Sequence, residues 1–231
     1  MVHAASEHRL PGPQDSWSAI VPLRSLATGK SRLRTQLADE VVEDLVREVA
    51  AALLRELAGS TGVARILVVS DTDLSGELTA STGADLVETL VQSPGGGLNE
   101  AVAEAVGQIW AEAPASPLLV IHADLPYVTS AEVEQLLAQV EALGQDAFIA
   151  DHTGRGSTVI ALQPGSFRRA AFGAESAARH AASGFAEIQL PQRSGLRHDL
   201  DTPEHYLSYR QRRRSLPGSP GGDAAGHRRR H

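Results

Sequence analysis

The chain has 231 residues, 42% hydrophobic and 21% charged, with a net charge of −7 and no cysteine. That length suits one α/β domain with a buried core, and the missing cysteines exclude disulfides, a thiolate nucleophile and cysteine-ligated zinc or iron–sulfur centres. No apolar run approaches the ~20 residues that cross a bilayer, and the N-terminus lacks a basic start followed by an apolar block, so a cytoplasmic protein with no membrane partner is expected.

In chain order, residues 17–23 read as a strand and 39–58 as a helix, with Val42, Leu45, Val46, Val49, Leu53 and Leu57 at helical spacing. Residues 66–70 form a second strand with a short helix after it, and 84–88 a third strand. A glycine-rich stretch leads into a helix over 98–113. Residues 118–122 are the most apolar strand and belong at the centre of the sheet. Thr129 and Glu132 have the spacing of a capping box, opening a helix that runs to residue 143. Residues 147–150 and 158–162 read as a strand pair, 173–183 as helical, 185–190 as extended, and 203–213 as a helix after Pro203.

This alternation predicts an α/β, Rossmann-like fold: a mostly parallel sheet with helices on both faces and its ligand beyond the carboxyl ends of the strands. Residues 1–16 read as a flexible N-terminal segment, 17–209 as the folded domain and 210–231 as a disordered Arg/Gly/Pro-rich tail. Seven arginines fall in that tail against one acid, Asp223, so the folded part is more acidic than the whole. No nucleic-acid partner is expected for it.

The polar motifs cluster where strands are expected to end. Residues 23–33 bring Arg24, Lys30 and Arg32 together after the first strand. Such a loop can wrap a polyphosphate with cations and backbone amides, though it lacks Walker spacing and a plain basic surface loop would look similar. Lys30 is the only lysine among 21 basic residues, which marks either a place where a compact ammonium is needed or chance. In the stretch 93–100, the glycines through Gly97 permit close backbone approach to a ligand and Asn99 can bond a base or ribose. A flexible connector is the blander reading.

Asp124 follows the central strand, where a carboxylate can hold Mg²⁺ against a triphosphate or simply make a turn. In the 198–203 segment, alternation puts Asp199 and Asp201 on one face, where like charges call for a cation. Asp201 or Thr202 can also cap the helix after Pro203. Ser157, Gly173 and Ser176 can together hold a small anion or serve ordinary turn and capping chemistry. Asp71 and Asp73 form an Asp-x-Asp that reads as helix capping, and the histidines show no zinc spacing.

Five segments in order, Lys-Ser-Arg-Leu at 30–33, Gly-Leu-Asn at 97–99, Ala-Asp-Leu-Pro at 123–126, Phe-Gly-x-x-Ser-x-x-x-His at 172–180 and Asp-Leu-Asp-Thr-Pro at 199–203, resemble the guanylyltransferases of coenzyme F-420 biosynthesis. The resemblance spans residues 17–206 and implies a Rossmann-like nucleotidyltransferase fold whose substrates are GTP and phosphoenolpyruvate or 2-phospho-L-lactate. It implies Mg²⁺ on Asp124, Asp199 and Asp201, and phosphoenolpyruvate at Ser157, Gly173 and Ser176. It also implies nucleotide contacts from Leu23, Arg24, Lys30, Gly97 and Asn99, with Lys30, Arg32 and Asp124 catalytic. A downstream enzyme that consumes the labile product is the implied protein partner. The rival readings are the same fold acting on 2-phospho-L-lactate or 3-phosphoglycerate, and a non-catalytic GTP-binding module.

Overall fold

The computed structural model describes residues 16–23, 30–83, 85–92 and 95–215. Seven strands form one sheet: β1 (Trp17–Pro22), β2 (Val63–Ser70), β3 (Val87–Val91), β4 (Leu118–Ile121), β5 (Ala147–Ala150), β6 (Ser157–Leu162) and β7 (Ala186–Glu187), in the order β3-β2-β1-β4-β6-β5-β7. The first four in that order run parallel; β6 is antiparallel to β4 and β5, and β7 is parallel to β5. The reversal at β6 follows from a short turn after β5. There Asp151 accepts from the amides of Thr153 (2.9 Å), Arg155 (3.2 Å) and Gly156 (3.0 Å), closing the chain back on itself.

The helices are α1 (Ser31–Arg34), α2 (Asp39–Ala58), α3 (Ser75–Thr82), α4 (Leu98–Glu112), α5 (Ser130–Leu143), α6 (Ser176–Ala182) and α7 (Pro203–Ser215), with a 3₁₀ turn at Gly195–Arg197. The period-two alternation of each strand feeds two cores. Ala19 and Val21 of β1 and Leu119 and Ile121 of β4 face Leu53, Leu57, Leu136 and Val140 of α2 and α5. Ile20, Leu118 and Val120 face Val102, Ala105 and Ile109 of α4 and Ala177 of α6. Burying each Leu or Ile this way contributes about 1.5–3 kcal/mol. A third cluster, of Leu33, Val42, Leu45, Leu200 and Tyr209, fastens α1 and α7 to α2.

The expected α/β architecture is present, with β4 central and wholly buried, and the Thr129–Glu132 capping box is formed. Several boundaries differ from the sequence reading, among them the starts of β2, at Val63 rather than 66, and of α6, at Ser176 rather than 173. The third strand lies at Val87–Val91 rather than 84–88, because its pairing register with β2, Ile66 opposite Val87, fixes it. Only Ala186–Glu187 of the extended 185–190 segment joins the sheet.

The tail does not begin at 210: α7 continues to Ser215. Arg213 pairs with Glu48 at 2.8 Å, and the Arg212 guanidinium lies 4.5 Å from the Tyr127 ring centre. The remainder of the tail, 216–231, and residues 1–15 of the N-terminal segment lie outside the described residues. Among the described residues no helix is long and apolar enough to cross a membrane.

Candidate active site at the carboxyl edge of the sheet

The sheet order places β1 between β2 and β4, so successive connections leave β1 in opposite directions, which opens a crevice beyond its carboxyl end. A cavity of about 360 Å³ lies there, lined among others by Leu23, Lys30, Arg32, His122, Asp124 and Asp201. Leu23 is buried and donates its amide to the Val69 carbonyl at 2.8 Å. Arg32 reaches the cavity from an exposed position. Arg24 lies outside the described residues.

Lys30 has left-handed backbone angles, φ 59° and ψ 45°, at the N-cap of α1. A non-glycine residue there carries strain of order 1–3 kcal/mol. Its carbonyl accepts from Leu33 at 2.9 Å and Arg34 at 3.2 Å, and its ammonium forms ion pairs with both Asp124 and Asp201. Burial would lower its pKa, but the two carboxylates outweigh burial and hold it above the usual lysine value. The ammonium is therefore charged at neutral pH. Asp124, in turn, is kept below the usual carboxylate value against its burial by Lys30 and His122.

The Asp199–Asp201 segment is brought to Asp124 by a backbone bond, Leu200 N–H to the Asp124 carbonyl at 2.9 Å. Asp201 faces Lys30 while Thr202 accepts from His205 N–H at 3.3 Å, so the two functions proposed for this segment fall to different residues. Asp199 is pushed up to about 7 by burial and by Asp124 and Asp201. Asp124 Oδ1 and Asp199 Oδ1 are both buried without a hydrogen-bond partner. Asp199 Oδ1 has only His152 Nδ1 nearby, at 3.5 Å; oxygen donors without a hydrogen bond, in a set whose charges repel, are the chemistry that a hard divalent cation relieves. Among the described residues no trio of His, Cys, Asp or Glu is already gathered as a ligand set, and Lys30 stands between two of the carboxylates.

Ser157, Gly173 and Ser176 form a second, adjoining cluster. Ser157 N–H donates to Ser176 Oγ at 2.7 Å, and Ser176 N–H donates to the Gly173 carbonyl at 3.2 Å. Gly173 has φ 120°, a conformation open to glycine. Phe172 connects the two clusters: its ring centre lies 4.6 Å from that of His122 and 5.3 Å from that of His180. Gly97 is the N-cap of α4.

Asn99, expected to meet a base or ribose, uses one acceptor and one donor of its amide on Phe172. It accepts from Phe172 N–H at 2.8 Å and donates to the Phe172 carbonyl at 3.2 Å. Sequence reasoning gave no role to two histidines of this region. His122 lines the cavity with a buried, unpartnered Nε2, and His180 hydrogen-bonds Ser157 at 2.8 Å. Only the inclusion of His180 in the fourth motif pointed to either.

Residues 22–194 match the MobA-like NTP transferase domain. The phosphoenolpyruvate guanylyltransferase of Streptomyces coelicolor is 36% identical over 186 residues, covering 80% of this chain and 86% of that protein. The enzyme of the same name from Sphaerobacter thermophilus is 34% identical over 190 residues, covering 80% and 88%. Among solved structures, a 4-diphosphocytidyl-2C-methyl-D-erythritol synthase superposes with a TM-score of 0.58 at 16% identity, covering 84% of this chain and 98% of that one. A nucleotidyl transferase from Methanothermobacter gives 0.54 at 18% identity, covering 86% and 97%. These two establish the shared fold alone. The domain match and the identities over four-fifths of the chain show that this protein belongs to the phosphoenolpyruvate guanylyltransferase family, nucleotidyltransferases built on the MobA-like domain.

Proposed function

We propose that this protein transfers GMP from GTP to phosphoenolpyruvate and releases diphosphate, as a cytoplasmic step in making coenzyme F-420. The observation that carries the reading is the charge constellation at the carboxyl edge. Lys30, charged at neutral pH, lies between Asp124 and Asp201, beside two buried carboxylate oxygens without a hydrogen-bond partner and next to a serine cluster suited to an anion.

In the reaction a phosphate oxygen of phosphoenolpyruvate forms a bond to the α-phosphorus of GTP. The bond from that phosphorus to the bridging oxygen breaks, and diphosphate leaves with the electron pair. The attacking oxygen is already ionised near neutral pH, so no side chain needs to take a proton. What remains is to bring two polyanions together, a task of positioning and charge neutralisation. Lys30 and Arg32 would face the GTP phosphates, and Ser157, Gly173 and Ser176 the acceptor's oxyanion. Asp124, Asp199 and Asp201 would hold Mg²⁺, which supplies further positive charge against the triphosphate when bound.

The test is diphosphate release from the purified protein with GTP, Mg²⁺ and each of phosphoenolpyruvate, 2-phospho-L-lactate and 3-phosphoglycerate, with a downstream enzyme present to consume the labile product. Release with phosphoenolpyruvate alone is expected. Release only with another acceptor would replace the substrate. No release with any, while GTP still binds, would leave a non-catalytic GTP-binding module.

A further inference from the structure

The hydrogen bonds around Ser157 and Ser176 have directions that backbone amides dictate. A backbone N–H can only donate, so the Ala171 amide, 2.9 Å from His180 Nε2, makes that nitrogen an acceptor. The ring then carries its single proton on Nδ1 and donates it to Ser157 Oγ, 2.8 Å away. Ser157 N–H likewise donates to Ser176 Oγ. Each serine oxygen therefore already accepts from the protein, and no described residue accepts from either hydroxyl hydrogen. Both hydroxyls are left as donors.

His180 is fixed in this role by its surroundings. It is fully buried, with ring centres of Phe148, Phe172 and Phe185 at 5.9, 5.3 and 5.2 Å. Burial, followed by Arg179 and His122, lowers its pKa to about 4, which keeps the ring neutral. The loop it grips is the one that presents Gly173: His180 holds the Ala171 amide and Asn99 holds both backbone polar groups of the next residue, Phe172.

We propose that His180 is a positioning residue for the anion site: its Nδ1–H tautomer commits the Ser157 hydroxyl to donating, beside a Ser176 hydroxyl committed by the Ser157 amide. Two hydroxyl hydrogens with no acceptor among the described residues suit a group that only accepts, a phosphate or carboxylate oxygen of the acceptor substrate. This rests on the reading that the serine cluster binds that substrate.

The tautomer can be read without substrate, from ¹⁵N-histidine NMR of the full chain. A protonated Nδ1 and a bare Nε2 on His180 are expected around neutral pH, and a protonated Nε2 would overturn the inference. Kinetics supply the second arm. His180→Phe fills the same space without a donor, whereas the amide of His180→Asn can still offer an N–H to Ser157. The Phe variant is expected to raise KM for phosphoenolpyruvate about tenfold while KM for GTP stays within about twofold, and the Asn variant to recover most of that loss. An unchanged acceptor KM in the Phe variant overturns the proposal. So does parallel damage to both KM values and to Tm in both variants, which marks a purely structural histidine. If the wild-type protein does not turn over phosphoenolpyruvate, the proposed function fails, while the NMR result still decides the tautomer.

Discussion

Lys30 combines an uncommon backbone conformation with an enclosed charge, and the two are linked. The left-handed turn at φ 59° aims the side chain from the start of α1 across to β4 and to the segment before α7, where Asp124 and Asp201 receive it. A guanidinium is wider and planar and cannot occupy the same point between two carboxylates. Lys30→Arg is therefore expected to lower kcat/KM for diphosphate release at least about tenfold, roughly 1.4 kcal/mol of transition-state stabilisation. Activity within about twofold of wild type would make the position of the single lysine incidental.

His180 gives a second prediction, for stability. Its folded pKa, about 4, lies below the ordinary histidine value of 6.5. Above 6.5 neither state is protonated there and the residue adds no pH dependence. As pH falls from 6.5 towards 4 the unfolded chain takes up a proton that the folded chain refuses, so stability declines. His122 and Arg179 are the charged or titratable neighbours that contribute to this shift, and His122 is itself lowered by burial. Urea unfolding across that range should therefore show a shallower acid slope for His180→Asn than for wild type, with the His122 contribution remaining in both.

At the level of elements, what could be read in the sequence was what local pattern encodes. The apolar spacing of α2, the continuous apolar run of β4 and the Thr129–Glu132 capping box are each contained within one segment. The third strand was misplaced because its limits come from pairing with β2, a partner far from it in sequence. The end of α7 falls two residues past the expected helix and six past the expected domain limit at 209, for the same kind of reason. Its arginine run has no apolar period, and its order depends on Glu48 of α2 and on Tyr127.

The 3₁₀ turn at Gly195–Arg197 gave no periodic signal, yet it sets the entry to the Asp199–Asp201 segment. A Cβ on Gly195 would lie 2.1 Å from the Tyr127 carbonyl oxygen, so backbone must move to accept one. Gly195→Ala is expected to lower Tm by at least about 4 °C, roughly 2 kcal/mol for a domain of this size, and to reduce activity with it. A calorimetric scan checks this, and an unchanged Tm would contradict the close approach.

Across the whole molecule, the candidate-site residues can be picked out because the fold collects strand ends. Lys30, Asp124 and the Asp199–Asp201 pair come from three distant stretches, but each follows or precedes an element predictable from pattern, and the sheet order brings them to one edge. The interactions that hold the site together were not recognisable. Asn99 with Phe172 and His180 with Ser157 span 73 and 23 residues, and nothing local specifies either pair.

Chain truncation separates the helix from the rest of the tail. Ending the chain after Ser215 is expected to leave both Tm and diphosphate release unchanged. Ending it after Tyr209 removes Arg212 from Tyr127 and Arg213 from Glu48, and should lower Tm by roughly 2–4 °C. Equal Tm values for the two truncations would mean that these contacts contribute nothing.

The two hydrogen bonds between Asn99 and Phe172 join the start of the helix after the glycine loop to the loop that presents Gly173. The family resemblance implies the nucleotide at the first loop and the acceptor at the second, so displacing either is expected to strain the other. Such a bridge is expected to couple the two binding events. Linkage then requires symmetry: whatever factor bound nucleotide adds to the affinity for the acceptor, the acceptor must return to the nucleotide.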